Sequence, residues 1–154
     1  MRGKLIGICV GVVGMIVLGF LGSSAAAPPH EPSTDTRQRL VLAPTQRDMM
    51  LTEMRQMLGS ISGIMRSLAA NDLPAAEKAT RAAGMMHAAD VDPQIQKLLP
   101  QQFLDLAMHT HMGFDKLADQ IKAGSNRDDT LRGLATLTGN CMACHAMYRL
   151  DEAR

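Results

Sequence analysis

From Thr45 onward the chain contains almost nothing that favours a strand. Ala, Leu, Met, Gln, Glu and Arg dominate and runs of β-branched residues are missing, which is a helix-forming composition. Apolar residues then recur at helical spacing. A first helix over about 45–70 is striped by Met50, Met54, Met57, Ile61, Ile64 with Met65, and Leu68, with Thr45 as its cap and Asp48 three residues on. Asn71-Asp72-Leu73-Pro74 stops it and starts a second helix over about 73–88, capped by Asp72. A connection from Asp90 to Pro100 holds one helical turn beginning at Pro93. The third helix, about 101–123, carries Phe103, Ala107, His111, Phe114, Ala118 and Ile121 on one face and stops at Gly124. The fourth begins at Ser125, with Asp128 three residues on, and runs to about 149 with Leu131, Leu134, Thr138, Cys141, His145 and Tyr148 on its stripe. Four amphipathic helices joined by short links predict an all-α, antiparallel four-helix bundle over residues 44–154.

The preceding residues read differently. Arg2 and Lys4 are followed by an uncharged apolar run from Leu5 to Leu21 and by Ser24-Ala25-Ala26-Ala27, the order of a secretory signal peptide cleaved after Ala26. The alternative is an uncleaved membrane anchor, for which the run is just short of the ~20 residues that span a bilayer. Residues 27–43, with Pro and polar residues at their start, read as a flexible leader. Removing 1–26 takes away two basic residues and Cys9, leaving 14 Lys+Arg against 15 Asp+Glu and a net charge of about −1. No basic patch points to nucleic acid. The expected location is the periplasm, an oxidising setting in which Cys141 and Cys144 are the remaining thiols.

Those two cysteines stand in Cys141-Met142-Ala143-Cys144-His145, the C-x-x-C-H pattern of covalent haem attachment. Positions i and i+3 of a helix project the same way, so both thiols can reach the vinyl groups along one edge of a haem. His145, four residues from Cys141, offers an imidazole nitrogen to the iron. A thioredoxin-like redox pair would be expected beside a strand, and no strand pattern is visible. A structural zinc site would need further ligands at suitable spacing, and there is no second C-x-x-C and no H-x-x-x-H.

An exported chain with four predicted helices, ending in CMACHAMYR, resembles the class II cytochromes c: cytochrome c′ and its low-spin, methionine-ligated relatives. The resemblance spans about 45–150 and is strongest over those nine residues. It implies a left-handed bundle with one covalent haem c lodged between helices near one end. The implied role is one-electron transfer with redox proteins of the periplasm or inner membrane or, in cytochrome c′ proper, binding of small gases. It also implies that Arg149 reaches a haem propionate, and bundles of this kind often form homodimers.

Topology limits the sixth iron ligand. In an up-down-up-down bundle the start of the first helix lies beside the end of the last, so Arg47-Asp48-Met49-Met50-Leu51-Thr52-Glu53-Met54 should cover the haem face opposite His145. Met50 begins the buried stripe, and a thioether opposite an imidazole gives low-spin iron of raised potential. Aligning Met50, Arg55 and Met57 with the low-spin relatives puts Met50 at the axial methionine. A register one residue along matches Arg47 to the arginine typical of cytochrome c′ and puts Leu51 at an open distal site. Met54, Met57 and Met65 are assigned to packing; with Phe103, Phe114 and Tyr148 as the aromatics of the mature chain, most methionines are expected in the core. Tyr148 is expected to pack on haem or the first helix. His111 and His87 are the rival ligands, each read first as a satisfied core or rim residue, while His30 and His109 are read as exposed.

A reading of another class is a Met/His copper protein, from Gly84-Met85-Met86-His87 and Met108-His109-Thr110-His111-Met112. The second group spreads around its helix, which works against closure on one ion. No constellation supports an enzyme.

Overall fold

The computed structural model describes residues 34–88 and 92–153. The chain divides between Asp35 and Thr36, and the architecture below is that of the second unit. The expected signal segment with Cys9, the first part of the expected leader, and His30 lie outside the described residues.

The described chain is mostly helical. Strand β1 (Gln38–Leu42) leads into helix α1 (Pro44–Ala69), then α2 (Leu73–Arg81), the short α3 (Met85–Ala88) and α4 (Pro93–Gln96), the long α5 (Gln101–Lys122) and α6 (Arg127–Met147), and strand β2 (Tyr148–Glu152). Helix α1 packs on α2, α2 on α5, and α5 on α6. No helix among the described residues is long and apolar enough to cross a membrane.

Local chemistry explains most helix ends. Pro44 takes the first turn of α1, where its missing N–H costs nothing. The cap there is not Thr45: the Gln46 side-chain oxygen accepts the Ala43 N–H at 3.1 Å. Asn71, at φ 55°, turns the chain out of α1, a conformation Asn tolerates better than most residues. Asp72 then caps α2 by accepting the Ala75 N–H at 2.9 Å. Gly124, at φ 102°, ends α5, and the Ser125 N–H reaches back to the Gln120 carbonyl at 3.0 Å in the manner of a Schellman closure. The cap of α6 falls one residue later than expected, at Asn126, which accepts the Asp129 N–H at 2.9 Å.

The expected helix over 73–88 is broken, and a tertiary contact breaks it. The Asp115 carboxylate of α5 accepts the Met85 N–H at 2.8 Å and pairs with Arg81 at 3.4 Å. It comes so close to Gly84 that any Cβ there would collide with it.

The expectation of an all-helical chain needs a second correction. Strands β1 and β2 pair in parallel, from Gln38 opposite Tyr148 to Leu42 opposite Glu152. Residues 38–42 are therefore strand rather than leader, and the last helix stops at Met147 rather than 149. Leu40 and Leu42 are buried while Val41 is half exposed, the period-two pattern of a strand with one covered face. Tyr148 leaves the helix to stand edge-on to Phe103, with ring centroids 5.4 Å apart, a contact worth about 0.5–1.5 kcal/mol beyond its buried area.

Two apolar clusters result. One joins Ile64, Leu68, Ala76, Phe114, Leu117 and Leu134; the other joins Leu40, Leu42, Met50, Ile95, Phe103 and Tyr148. Three expectations about facing fail. Leu131 is exposed because Thr130 and Leu134 take the inner positions of α6, and Met65 is exposed because Ile64 takes the core position of α1. Nor are most methionines core: Met49, Met65, Met86, Met108, Met112, Met142 and Met147 are exposed, because Leu, Ile, Ala and Phe side chains fill the clusters instead.

Glycine substitutions test this architecture. Gly84→Ala forces a methyl into the Asp115 carboxylate and should lower stability by about 1–3 kcal/mol. Gly59→Ala, on α1 where a Cβ meets nothing within 4 Å, should raise it by about 0.5–1 kcal/mol. Denaturant midpoints of the two variants should move in opposite directions.

Candidate functional site

Residues Met50 to Ile61 of α1, the first half of α5, the end of α4 with its link to α5, and the last turns of α6 line a partly open cavity of about 690 Å³. That lies within the roughly 300–1,000 Å³ of small-molecule and cofactor pockets. Helix α1 contributes Met50, Leu51, Met54, Met57 and Ile61; α5 contributes Phe103, Leu104, Ala107, Met108 and His111. Helix α6 contributes Asn140, Cys141, Cys144 and His145. The wall is mainly hydrocarbon and thioether, with Glu53, Asp105 and Thr110 among its polar groups.

Helical spacing places the three chemical groups of α6 together. Cys141, Cys144 and His145 line the cavity, while Met142, between the thiols in sequence, is 75% exposed. Both thiols are free and half-buried. Burial pushes the Cys141 thiol above its ordinary pKa. Burial and the neighbouring Cys141 do the same to Cys144. Activated redox cysteines show the opposite shift. Among the described residues no three His, Cys, Asp or Glu side chains are grouped as around a metal ion.

Of the residues singled out from sequence, Met50, Leu51 and Met54 share the cavity with Cys141, Cys144 and His145. Met50 is 6% exposed and belongs to the apolar cluster on which Cys144 packs. Arg47, Tyr148 and Arg149 are not among the lining residues. Arg47 lies half-buried in the first turns of α1. Tyr148 is buried behind Phe103, which does line the cavity. Arg149 sits on β2, past the end of α6 at Met147, with Nε 3.6 Å from the Asp151 carboxylate. The copper-reading residues divide: Met108 and His111 line the cavity, while Met86 and Met112 are exposed. His109 is exposed too, its Nδ1 2.7 Å from the Asp105 carbonyl oxygen. The side chain of His87, in α3, lies outside the described set.

Two residues of the site were not found from sequence. His111 is buried with Nδ1–H donating to the Ala83 carbonyl at 2.8 Å and Nε2 3.6 Å from a Glu53 carboxylate oxygen. Glu53 is the missed residue here. Its signal was an acidic side chain three residues beyond Met50, a spacing that keeps it on the same helical face. The other is Arg37, whose guanidinium donates to the His145 carbonyl at 3.0 Å and to the Tyr148 carbonyl at 3.4 Å. Nothing local marks it, because its partners lie more than a hundred residues away.

The buried imidazole makes stability depend on pH. Burial opposes its charging, but the Glu53 carboxylate, the Ala83 carbonyl and the charge of Asp115 outweigh burial and raise its pKa above 6.5. The folded state therefore holds its proton more tightly than the unfolded chain does. This contribution is fully present below about 6.5, the unfolded value, and is lost as pH rises through the raised folded value. Thermal midpoints should fall across that window, and His111→Gln should flatten the fall.

No family profile, curated protein or solved structure matches this chain, so its function rests on the chemistry of the cavity.

Proposed function

We propose that the chain is an exported, monohaem c-type cytochrome of class II, a four-helix bundle acting as a one-electron carrier. In this reading α1, α2 with α3, α5 and α6 are the four helices. The observation that carries it is the convergence of Cys141, Cys144 and His145 on a large apolar cavity that also receives Met50 and Met54. The residues suit a haem: two free thiols three apart on one helix, an adjoining imidazole, and hydrocarbon walls.

When bound, haem supplies one-electron redox chemistry at its iron. The chain's own contribution is attachment, ligation and exclusion of water. The free thiols of Cys141 and Cys144 would hold the haem covalently, each as a thioether in which S–H and vinyl C=C are exchanged for S–C and C–H. The His145 imidazole and the Met50 sulfur, which line the same cavity, would be the residues that hold the iron. Burial of Met50 favours it over Met54, which is more exposed. Leu51, Met54, Met57, Phe103 and Leu104 keep water from the site. His111, engaged by Glu53 and Ala83, is read as a structural residue rather than a ligand.

A second reading has one supporting observation. Leu51 lines the same cavity, and Leu51 at the distal position would leave a five-coordinate site open to small gases. The proposed location is the periplasm, with redox proteins there or in the inner membrane as donors and acceptors.

Absorption spectra of protein matured in a host that attaches haem c test both readings. The expected product is red and covalently loaded, with a sharp reduced α-band and no change under carbon monoxide. Met50→Ala should become high-spin or water-ligated and gain carbon monoxide binding. Binding by the unaltered protein would favour the open site instead. A colourless chain at apoprotein mass would sink the cytochrome reading, and replacing Cys141 and Cys144 together by Ser should abolish covalent attachment.

A further inference from the structure

We propose that Arg37 is a positioning residue for His145, holding it through its main-chain carbonyl and keeping a fixed positive charge beside it. The inference rests on the haem reading of the cavity. A helix ends with carbonyls that have no partner within it. At the end of α6 the Cys144 carbonyl takes the Tyr148 N–H. The carbonyl of His145 instead accepts from the Arg37 guanidinium at 3.0 Å, and the same nitrogen reaches the Tyr148 carbonyl at 3.4 Å.

The guanidinium acts from an anchored backbone. Its neighbour Gln38 opens the parallel ladder opposite Tyr148, and Leu40 and Leu42, further along β1, are 3% and 1% exposed. The strand thus holds Arg37 at the turn where helix gives way to β2. His145 is itself an exposed residue, so packing does little to fix its ring. Its placement depends on the main chain that carries it, and that main chain is tied by a side chain from the other end of the folded unit.

The tie has an electrical consequence. Arg is charged at all working pH values, and a cation at a helix C-terminus is favourably placed. A permanent positive charge at the proximal ligand's carbonyl favours the reduced iron, which carries one positive charge fewer than the oxidised. Arg37 therefore raises the reduction potential, and the effect is weakened by salt because the pair is partly exposed.

The experiment compares holoproteins: unaltered, Arg37→Gln, Arg37→Lys and Arg39→Gln. Arg39 is exposed and paired with Asp151 across the same ladder, so its loss loosens the strands without touching His145. Arg37→Gln should lower the midpoint potential, so that the reduced-to-oxidised ratio at a fixed applied potential falls severalfold, and less so at high salt. Amide hydrogen exchange over residues 145–148 should quicken. Arg37→Lys, which keeps the charge but on a shorter side chain without the guanidinium's fixed N–H directions, should recover most of the potential but not the slow exchange. Arg39→Gln should leave the potential close to that of the unaltered protein. An Arg37→Gln holoprotein with unaltered potential, or a shift matched by Arg39→Gln, overturns the proposal. If Arg37→Gln does not accumulate, Arg37→Lys decides, and unaltered exchange over 145–148 overturns it. An unaltered chain without covalent haem overturns the cytochrome reading itself, a result distinguishable from either of these.

Discussion

Two apolar clusters bracket the cavity, and each has to be closed from outside for the space between them to persist. Packing does this at one end. Phe114, Ala118 and Ile64 are completely buried there, and Met57 and Ile61, which pack on that cluster, form the adjoining cavity wall. At the other end the closure is a strand pair. Strands β1 and β2 bring Leu40, Leu42 and Tyr148 over Met50, Ile95 and Phe103, and Met50, Leu99, Phe103, Leu104 and Cys144 of that group face the cavity. Without the strands this end would expose large apolar area, at roughly 25 cal/mol per Å².

The strand pair also explains why α6 stops where it does. A helix that continued to residue 149 would keep Tyr148 on the face of α6 that carries Cys141, Cys144 and His145. Extended backbone lets the ring stand against Phe103 and lets Tyr148 pair with Gln38. The segment bearing Cys141, Cys144 and His145 is thereby pinned three residues after the last of them. The Arg37 guanidinium sits at that junction, and both ends of the folded unit meet beside the candidate site.

Among the described residues, the buried Thr80, Thr110, His111 and Thr130 each have a hydrogen-bond partner. His111 lies between the Ala83 carbonyl and Glu53. Thr80 and Thr130, buried in helices, donate to the carbonyls of Ala76 and Asn126, four residues back in each case. Asp115 serves three purposes at once: it caps α3, pairs with Arg81 and adds its charge to the field at His111. A carboxylate on α5 thus couples the broken helix to the buried imidazole.

What could be read without a structure was whatever depends on neighbours in sequence. The helical stripes of α1 and α5, the Asp72 cap, the turn at Pro93 and the glycine stop at 124 all rest on local propensity and spacing. So does the clustering of Cys141, Cys144 and His145, since a helix of any provenance aligns residues three and four apart. Contacts between distant segments were decided by tertiary structure alone. The break before Met85 depends on Asp115, thirty residues on. Strand β1 exists because β2 is there to pair with it, and a five-residue strand has too few local bonds to form without a partner. Glu53 and Arg37 were invisible for the same reason: their meaning lies in His111 and in the carbonyl of His145, which only the folded chain brings within reach.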